Sequence, residues 1–228
     1  MQASVFIAPI FSAAPTGFWG VHLTDLEKRR MSAIKSERRR LEFVCSRLLA
    51  KQSLVSEYGG PENQWTIEVK PDGSLRVERP EGLFVPSISL SHSKGRVACA
   101  FADVEMLGLD IELLQARKNL PRLAEEVLHP EEWSEFSGLD FDGKTRYFHA
   151  KWVLKEALGK ALGCGINYPM REFLIRSDSL LKAPQVWIAD PRQWAFSQVF
   201  LDGGYSLGLA WRGGSVSQVS IKSAEIRL

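Results

Sequence analysis

The chain echoes itself at long range. Residues 95–102, Gly-Arg-Val-Ala-Cys-Ala-Phe-Ala, resemble residues 204–211, Gly-Tyr-Ser-Leu-Gly-Leu-Ala-Trp, at a shift of 109 positions. The helical pattern at 43–49 resembles that at 148–154, at a shift of 105. Either match alone is what any two amphipathic strands or helices give. Two matches in the same order at nearly one offset predict a duplicated α+β half. The expected fold is therefore α+β: two pseudo-symmetric α/β halves, 1–104 and 105–228, with the active site in the cleft between them.

Local patterns fill in the elements. Apolar residues recur at helical spacing through 35–52, with Leu41, Val44, Cys45, Leu48 and Leu49 on one face. Strands are expected at 5–10, 65–69, 75–77 and 87–91, with a turn at Pro71-Asp72-Gly73. Runs 96–102 and 108–113, split by Asp103-Val104-Glu105, read as a hairpin. Helices follow at 131–137 and 146–162, the second stopped by Gly163 and Gly165. A closing antiparallel set is expected from 186–188, 193–201 and 205–211.

Bulk properties exclude several classes. The 228 residues are 45% hydrophobic and 25% charged, with a net charge of +2, an ordinary globular balance. The three cysteines, Cys45, Cys99 and Cys164, form no CxxC pair, so neither a disulfide framework nor a zinc knuckle is expected, and a reducing cytoplasm fits. The apolar start lacks a preceding cation and carries Pro9 and Pro15, so it reads as a strand and not a signal peptide. No run is long enough to span a bilayer. Positive charge concentrates at 28–51, a surface suited to phosphates or an acidic partner.

Three short segments could carry chemistry. In Gly108-Leu109-Asp110-Ile111-Glu112, a period of two puts both carboxylates on one face and Leu109 and Ile111 in the core. Gly108 allows close approach of a backbone or ligand. Two such carboxylates suit Mg²⁺, which completes its shell with water and phosphate, although a solvated acidic strand face shows the same alternation. On the helix at 146–162, Trp152, Glu156 and Lys160 fall at i, i+4 and i+8: a third carboxylate with a cation one turn on, or an exposed ion pair. Ser89, Ser91, His92, Ser93 and Lys94 offer phosphate contacts. Strict alternation would place His92 on the apolar face with Ile88 and Leu90, so it reaches a ligand only if the strand breaks near Ser91.

In order and spacing, Ser91-His92-Ser93, Gly108-Leu109-Asp110-Ile111-Glu112 and the Trp-x-x-Lys-Glu-Ala-x-x-Lys run of Trp152 to Lys160 resemble the signature of Sfp-type 4′-phosphopantetheinyl transferases. The resemblance extends to Arg38-Arg39-Arg40-Leu41-Glu42-Phe43 with Arg47, to Asp72-Gly73-Ser74-Leu75 and to the final Gly-Tyr-Ser-Leu strand. It departs at Gly73-Ser74-Leu75, where a Gly-Lys-Pro segment is often seen, and the lysine and proline are missing.

The resemblance implies a soluble enzyme that moves 4′-phosphopantetheine from coenzyme A to a serine of an apo acyl or peptidyl carrier protein. It releases adenosine 3′,5′-bisphosphate and depends on Mg²⁺. Asp110, Glu112 and Glu156 would hold the metal. Glu156 would take the serine proton, directly or through a bound water, and Lys160 and Lys155 would neutralise phosphate oxygens. His92 would contact the pyrophosphate or the 3′-phosphate, with Gly73 and Ser91 beside the coenzyme. Arg40 and Arg47, two turns apart on one helix face, are candidates for the 3′-phosphate, and Arg39 and Lys35 could substitute. Basic residues left over could steer an acidic carrier. The duplication makes a monomer the simpler expectation, with neither nucleic acid nor membrane as a partner.

Competing motifs are weaker. Residues 138–145 satisfy GxxxxGK[ST], but Glu131 to Phe136 is no buried strand, and Asp140 and Asp142 would put negative charge in a phosphate cradle. The segment reads as a solvated turn between two helices. No GxSxG, HExxH or Cys-His signature supports a hydrolase. The arginine-rich helix lacks a nucleic-acid-binding fold motif. A carrier-binding module without chemistry should have lost Asp110, Glu112 or Glu156, and all three are present.

Overall fold

The computed structural model describes residues 2–11, 22–70, 73–79, 81–165, 167–176, 181–182 and 193–227. The chain divides into two compact units: residues 1–103 with 215–228, and residues 104–214.

In the first unit a sheet runs in the order β11-β1-β5-β4, where β1 is Gln2–Pro9, β4 Ser87–Ser93, β5 Arg96–Ala102 and β11 Gln218–Ser223. All pairings are antiparallel except β1 with β11. The helix α2 (Glu37–Tyr58) is opened by the Ser36 hydroxyl, which accepts from Arg39 N–H, and closed by Gly59 at φ 76. Its Val44, Cys45, Leu48 and Leu49 enter a core with Phe6, Trp65 and Phe101. A short helix α1 (Asp25–Ala33) and the small hairpin β2–β3 (Thr66–Val69, Leu75–Glu78) complete the unit.

The second unit has the sheet order β6-β10-β9, where β6 is Met106–Leu113, β9 Trp194–Leu201 and β10 Tyr205–Arg212. Its long helix is α5 (Phe141–Ala161), capped by Asp140, whose carboxylate accepts from Gly143 N–H at 2.8 Å. Helices α3 (Leu120–Val127) and α4 (Pro130–Ser137) and the strand pair β7–β8 (Leu174–Ile175, Leu181–Lys182) surround it.

The series β1, α2, β4, β5 in the first unit and β6, α5, β9, β10 in the second share one pattern, strand, helix, strand, strand, with the fourth element paired between the other two strands. The strands that echo in sequence, β5 and β10, are the two central ones, and the echoing helices are α2 and α5. Two expectations are corrected. Runs 96–102 and 108–113 form no hairpin: β5 pairs with β1 and β4, and β6 with β10, because each strand completes the sheet of its own unit. The division at 104/105 is not contiguous, since β11 returns to lie parallel to β1. The strand expected at 186–188 and the Pro71-Asp72 part of the turn lie outside the described residues.

The segment at 138–145 is no P-loop. Gly138 ends α4, Asp140 caps α5, and Gly143-Lys144-Thr145 are its first turns. Lys144 lies over the Phe136 ring at 5.8 Å. Lys144→Ala is expected to leave activity within about twofold, as for an ordinary surface change, read by steady-state kinetics. No helix among the described residues is long and apolar enough to cross a membrane.

Candidate active site

The site begins with a close approach. On β6 the residues Gly108, Asp110 and Glu112 share one face, while Leu109 and Ile111 are buried on the other. Helix α5 runs against the glycine so tightly that a Cβ there would lie 1.8 Å from the Ala157 carbonyl oxygen. On β10, Gly208 pairs with Asp110, and a Cβ there would lie 2.7 Å from the Val153 carbonyl carbon. Two glycines on adjacent strands let the helix backbone settle onto the sheet. Glu156 and Lys160 are brought to the carboxylates as a result.

Lys160 Nζ donates to Asp110 Oδ1 at 2.8 Å and to the Leu109 carbonyl at 2.9 Å. Glu156 is 9% exposed, and its Oε1 is buried without a hydrogen-bond partner. Burial raises its carboxyl to about 7, the negative charges of Asp110 and Glu112 push the same way, and Lys160 opposes them. Among the described residues no three His, Cys, Asp or Glu side chains are gathered into a metal-ligand cluster. The donor chemistry nonetheless fits Mg²⁺: hard carboxylate oxygens, one of them lacking a partner, in a patch whose negative charge Lys160 only partly offsets.

Lys155 is corrected. Its ammonium is fully buried and turned inward, 2.9 Å from Glu132 Oε2, and it donates to the carbonyls of Val127, Met170 and Phe173. Burial lowers it to about 8, with Glu132 opposing the shift. It has no donor left for a phosphate. Trp152 packs half-buried against Phe148, with ring centroids 5.7 Å apart.

In the first unit β4 does not break at Ser91. It runs to Ser93, and Lys94 (φ 40) and Gly95 (φ 92) form the two-residue turn into β5. His92 is exposed all the same, on the edge strand of its sheet. Its Nδ1 lies 3.5 Å from Glu42 Oε2, and Glu42 Oε1 pairs with Arg38 Nε at 3.2 Å. The buried Glu42 therefore pairs with both an imidazole and a guanidinium, and with Arg38 it lines a concavity of about 590 Å³ together with Ile10, Phe11, Leu41 and Lys94 among others.

The proposed Arg40 and Arg47 pair is not held as one site. Arg40 is exposed with Lys35 and Arg39, whereas Arg47 is buried, 3.6 Å from Glu27 Oε1 and over the Phe43 ring at 4.9 Å. Burial lowers its guanidinium to about 10. Gly73 is exposed in the β2–β3 turn at φ 84, and Ser91 is buried in β4.

Sequence reasoning missed Glu27, Glu42, Glu132 and Gly208. Only Gly208 carried a signal, a glycine inside an apolar strand. The three glutamates are ordinary helix acids by sequence, and become visible when the element facing each is placed, α2 for Glu27, β4 for Glu42 and α5 for Glu132.

Residues 106–210 match the model of the 4′-phosphopantetheinyl transferase superfamily. The chain is similar to the 4′-phosphopantetheinyl transferase HetI of Nostoc sp., at 35% identity over 34% of this chain and 33% of that one. It is also similar to a holo-[acyl-carrier-protein] synthase of Streptococcus thermophilus, at 36% identity over 26% of this chain and 54% of that one. Both matches span about half or less of the relative's length. A solved structure of a holo-(acyl-carrier-protein) synthase from Bacillus anthracis, in complex with CoA (3′,5′-ADP), aligns over 50% of this chain and all of its own, at 20% identity and a TM-score of 0.40.

Proposed function

From the match of residues 106–210 to the 4′-phosphopantetheinyl transferase superfamily model, we propose that the chain belongs to that superfamily and transfers 4′-phosphopantetheine from coenzyme A to a serine of an apo carrier protein. The other product is adenosine 3′,5′-bisphosphate, and Mg²⁺ is required. The observation that carries this reading is the acidic patch of β6 and α5, in which Asp110 and Glu156 meet the Lys160 ammonium inside the matched segment.

The carrier serine oxygen attacks the pantetheine-bearing phosphorus of the pyrophosphate, and the bond to the nucleotide phosphate breaks. Little covalent chemistry is asked of the protein, so charge and alignment dominate. Asp110, Glu112 and Glu156 would hold Mg²⁺, which when bound supplies positive charge against the pyrophosphate oxygens. Glu156, directly or through a bound water, takes the serine proton. Lys160, held beside the patch by Asp110, neutralises a phosphate oxygen. In the first unit His92 and Arg38, both beside Glu42, and the exposed Lys35, Arg39 and Arg40 are the candidates for a phosphate of the coenzyme.

The test is incubation of the full chain with coenzyme A, Mg²⁺ and an apo carrier, read by intact mass. A gain of one phosphopantetheine is expected on the carrier, and excess EDTA should abolish it. No gain on apo fatty-acid, polyketide and peptide carriers, with the carrier still retained by the chain, leaves a binding module in place of an enzyme. Undiminished transfer in EDTA overturns the metal reading alone.

A further inference from the structure

The signature run of α5 contains one residue that the proposed chemistry leaves unused. Lys155 adjoins Glu156, yet on a helix of 3.6 residues per turn the two side chains leave the axis about 100° apart. Glu156 lies toward Asp110 on the sheet side. Lys155 points into the outer layer of the same unit, where it collects four acceptors from three separate segments. These are the Val127 carbonyl at the end of α3, Glu132 on α4, and the Met170 and Phe173 carbonyls that bracket a 3₁₀ turn. The Tyr168 hydroxyl donates to the Lys155 carbonyl, one peptide before Glu156. Glu132 is held from its other side as well, accepting from His129 N–H at 3.0 Å and Ile175 N–H at 3.1 Å.

We propose that Lys155 is a positioning residue: together with Glu132 and Tyr168 it fixes the rotation of α5 about its axis, and thereby the direction in which Glu156 faces the carboxylates of β6. The physical reason is that over Gly108 and Gly208 the helix meets the sheet backbone to backbone, so at that point no side chain of the sheet resists its rotation. Side chains that interlock elsewhere hold register on a sheet, and here Gly108 and Gly208 have none. A buried ammonium is strongly directional instead, because any rotation strands it away from carbonyls that water does not reach. The proposal rests on Glu156 having the role given above.

The test separates positioning from plain stability. Lys155→Met alone leaves Glu132 as a buried carboxylate with its nearest cation gone, and is expected to destabilise the chain. Lys155→Met with Glu132→Gln removes both charges, keeps an acceptor for Ile175 N–H, and should recover much of the melting temperature. In this double variant kcat for carrier modification is expected to stay about 10²-fold down, as for a misplacement of about 1 Å, with KM for coenzyme A little changed.

Recovery of kcat together with the melting temperature overturns the proposal. So does a loss confined to KM, which would make Lys155 a substrate contact. Tyr168→Phe provides a milder variant if the double one does not fold: about tenfold lower kcat at unchanged KM is expected, and a wild-type rate overturns the proposal. Hydrogen exchange keeps the test apart from the proposed activity. Even if the wild-type chain transfers nothing, amides at 153–160 should exchange faster in the double variant than in wild type, and unchanged exchange there overturns the strut.

Discussion

Glu156→Gln is expected to lower transfer by about 10²–10³-fold or more while leaving the chain folded and, at pH 8, harder to melt than wild type. The two effects have one cause. Oε1 of Glu156 is buried without a hydrogen-bond partner, and burial, with Asp110 and Glu112, lifts the carboxyl from 4.5 to about 7. A carboxyl raised on folding binds its proton more tightly in the folded state. Its contribution to stability is fully present below pH 4.5 and is lost as pH rises through about 7.

Above pH 7 the folded chain holds an ionised carboxylate at a cost of up to about 3 kcal/mol, on the scale of 1.36 kcal/mol per pH unit. Glutamine has the same shape and no charge at any pH. The melting temperature of the variant relative to wild type should therefore grow from pH 5 to pH 8 in metal-free buffer. Thermal melts at those two values check it, and a difference flat in pH refutes the buried carboxyl. Near-normal transfer by the glutamine variant refutes its role in the reaction, whatever the melts show.

The parts of this site legible in the sequence are those fixed by local periodicity. Alternation along β6 was enough to put Asp110 and Glu112 on one face and to bury Leu109 and Ile111, because a strand's two faces follow from its pleat alone. The i, i+4, i+8 spacing aligned Glu156 with Lys160 for the same reason. Legibility ended where a partner came from elsewhere. Lys155 and Lys160 are both helix lysines by sequence, and only α4 with its Glu132 makes one structural and leaves the other at the acidic patch. Spacing puts Arg40 and Arg47 two turns apart on α2, but α1, a polar segment with weak apolar periodicity, brings Glu27 to Arg47 and buries it, while Arg40 stays exposed.

His92 shows the converse. The alternation that assigns it to the apolar face holds along all of β4, and the residue is nevertheless exposed while its partner Val97 on the central strand β5 is buried, because β4 is the edge of its sheet. The β5–β6 pairing failed on similar grounds. A three-residue gap suits a hairpin, but partner choice is settled by which sheet lacks a strand, and that information is non-local.

Gly108→Ala is the other substitution expected to act strongly, through backbone collision. Its Cβ would fall 1.8 Å from the Ala157 carbonyl oxygen and 2.8 Å from the Ala161 nitrogen, and neither atom can rotate away. Helix α5 must lift from β6 or the strand must bend. Overpacking of this kind costs about 1–3 kcal/mol and more when nothing yields. For a chain of this size that is a fall of about 5–10 °C in melting temperature.

The same lift opens the 2.8 Å contact of Lys160 with Asp110 and draws Glu156 from the carboxylates of β6. A further loss of about 10²-fold in kcat is therefore expected, beyond any loss of folded protein. Gly138→Ala is the matched control, since a Cβ there meets nothing nearer than the Glu135 carbonyl oxygen at 3.8 Å, and it should change neither quantity appreciably. A second change identifies the colliding atoms. If the new methyl met the side chain of Ala157, then Ala157→Gly would rescue Gly108→Ala. The atom in its way is the carbonyl oxygen, which every residue carries, so no rescue is expected, and restored activity in that pair would show that the helix rests on its side chains and not on its backbone.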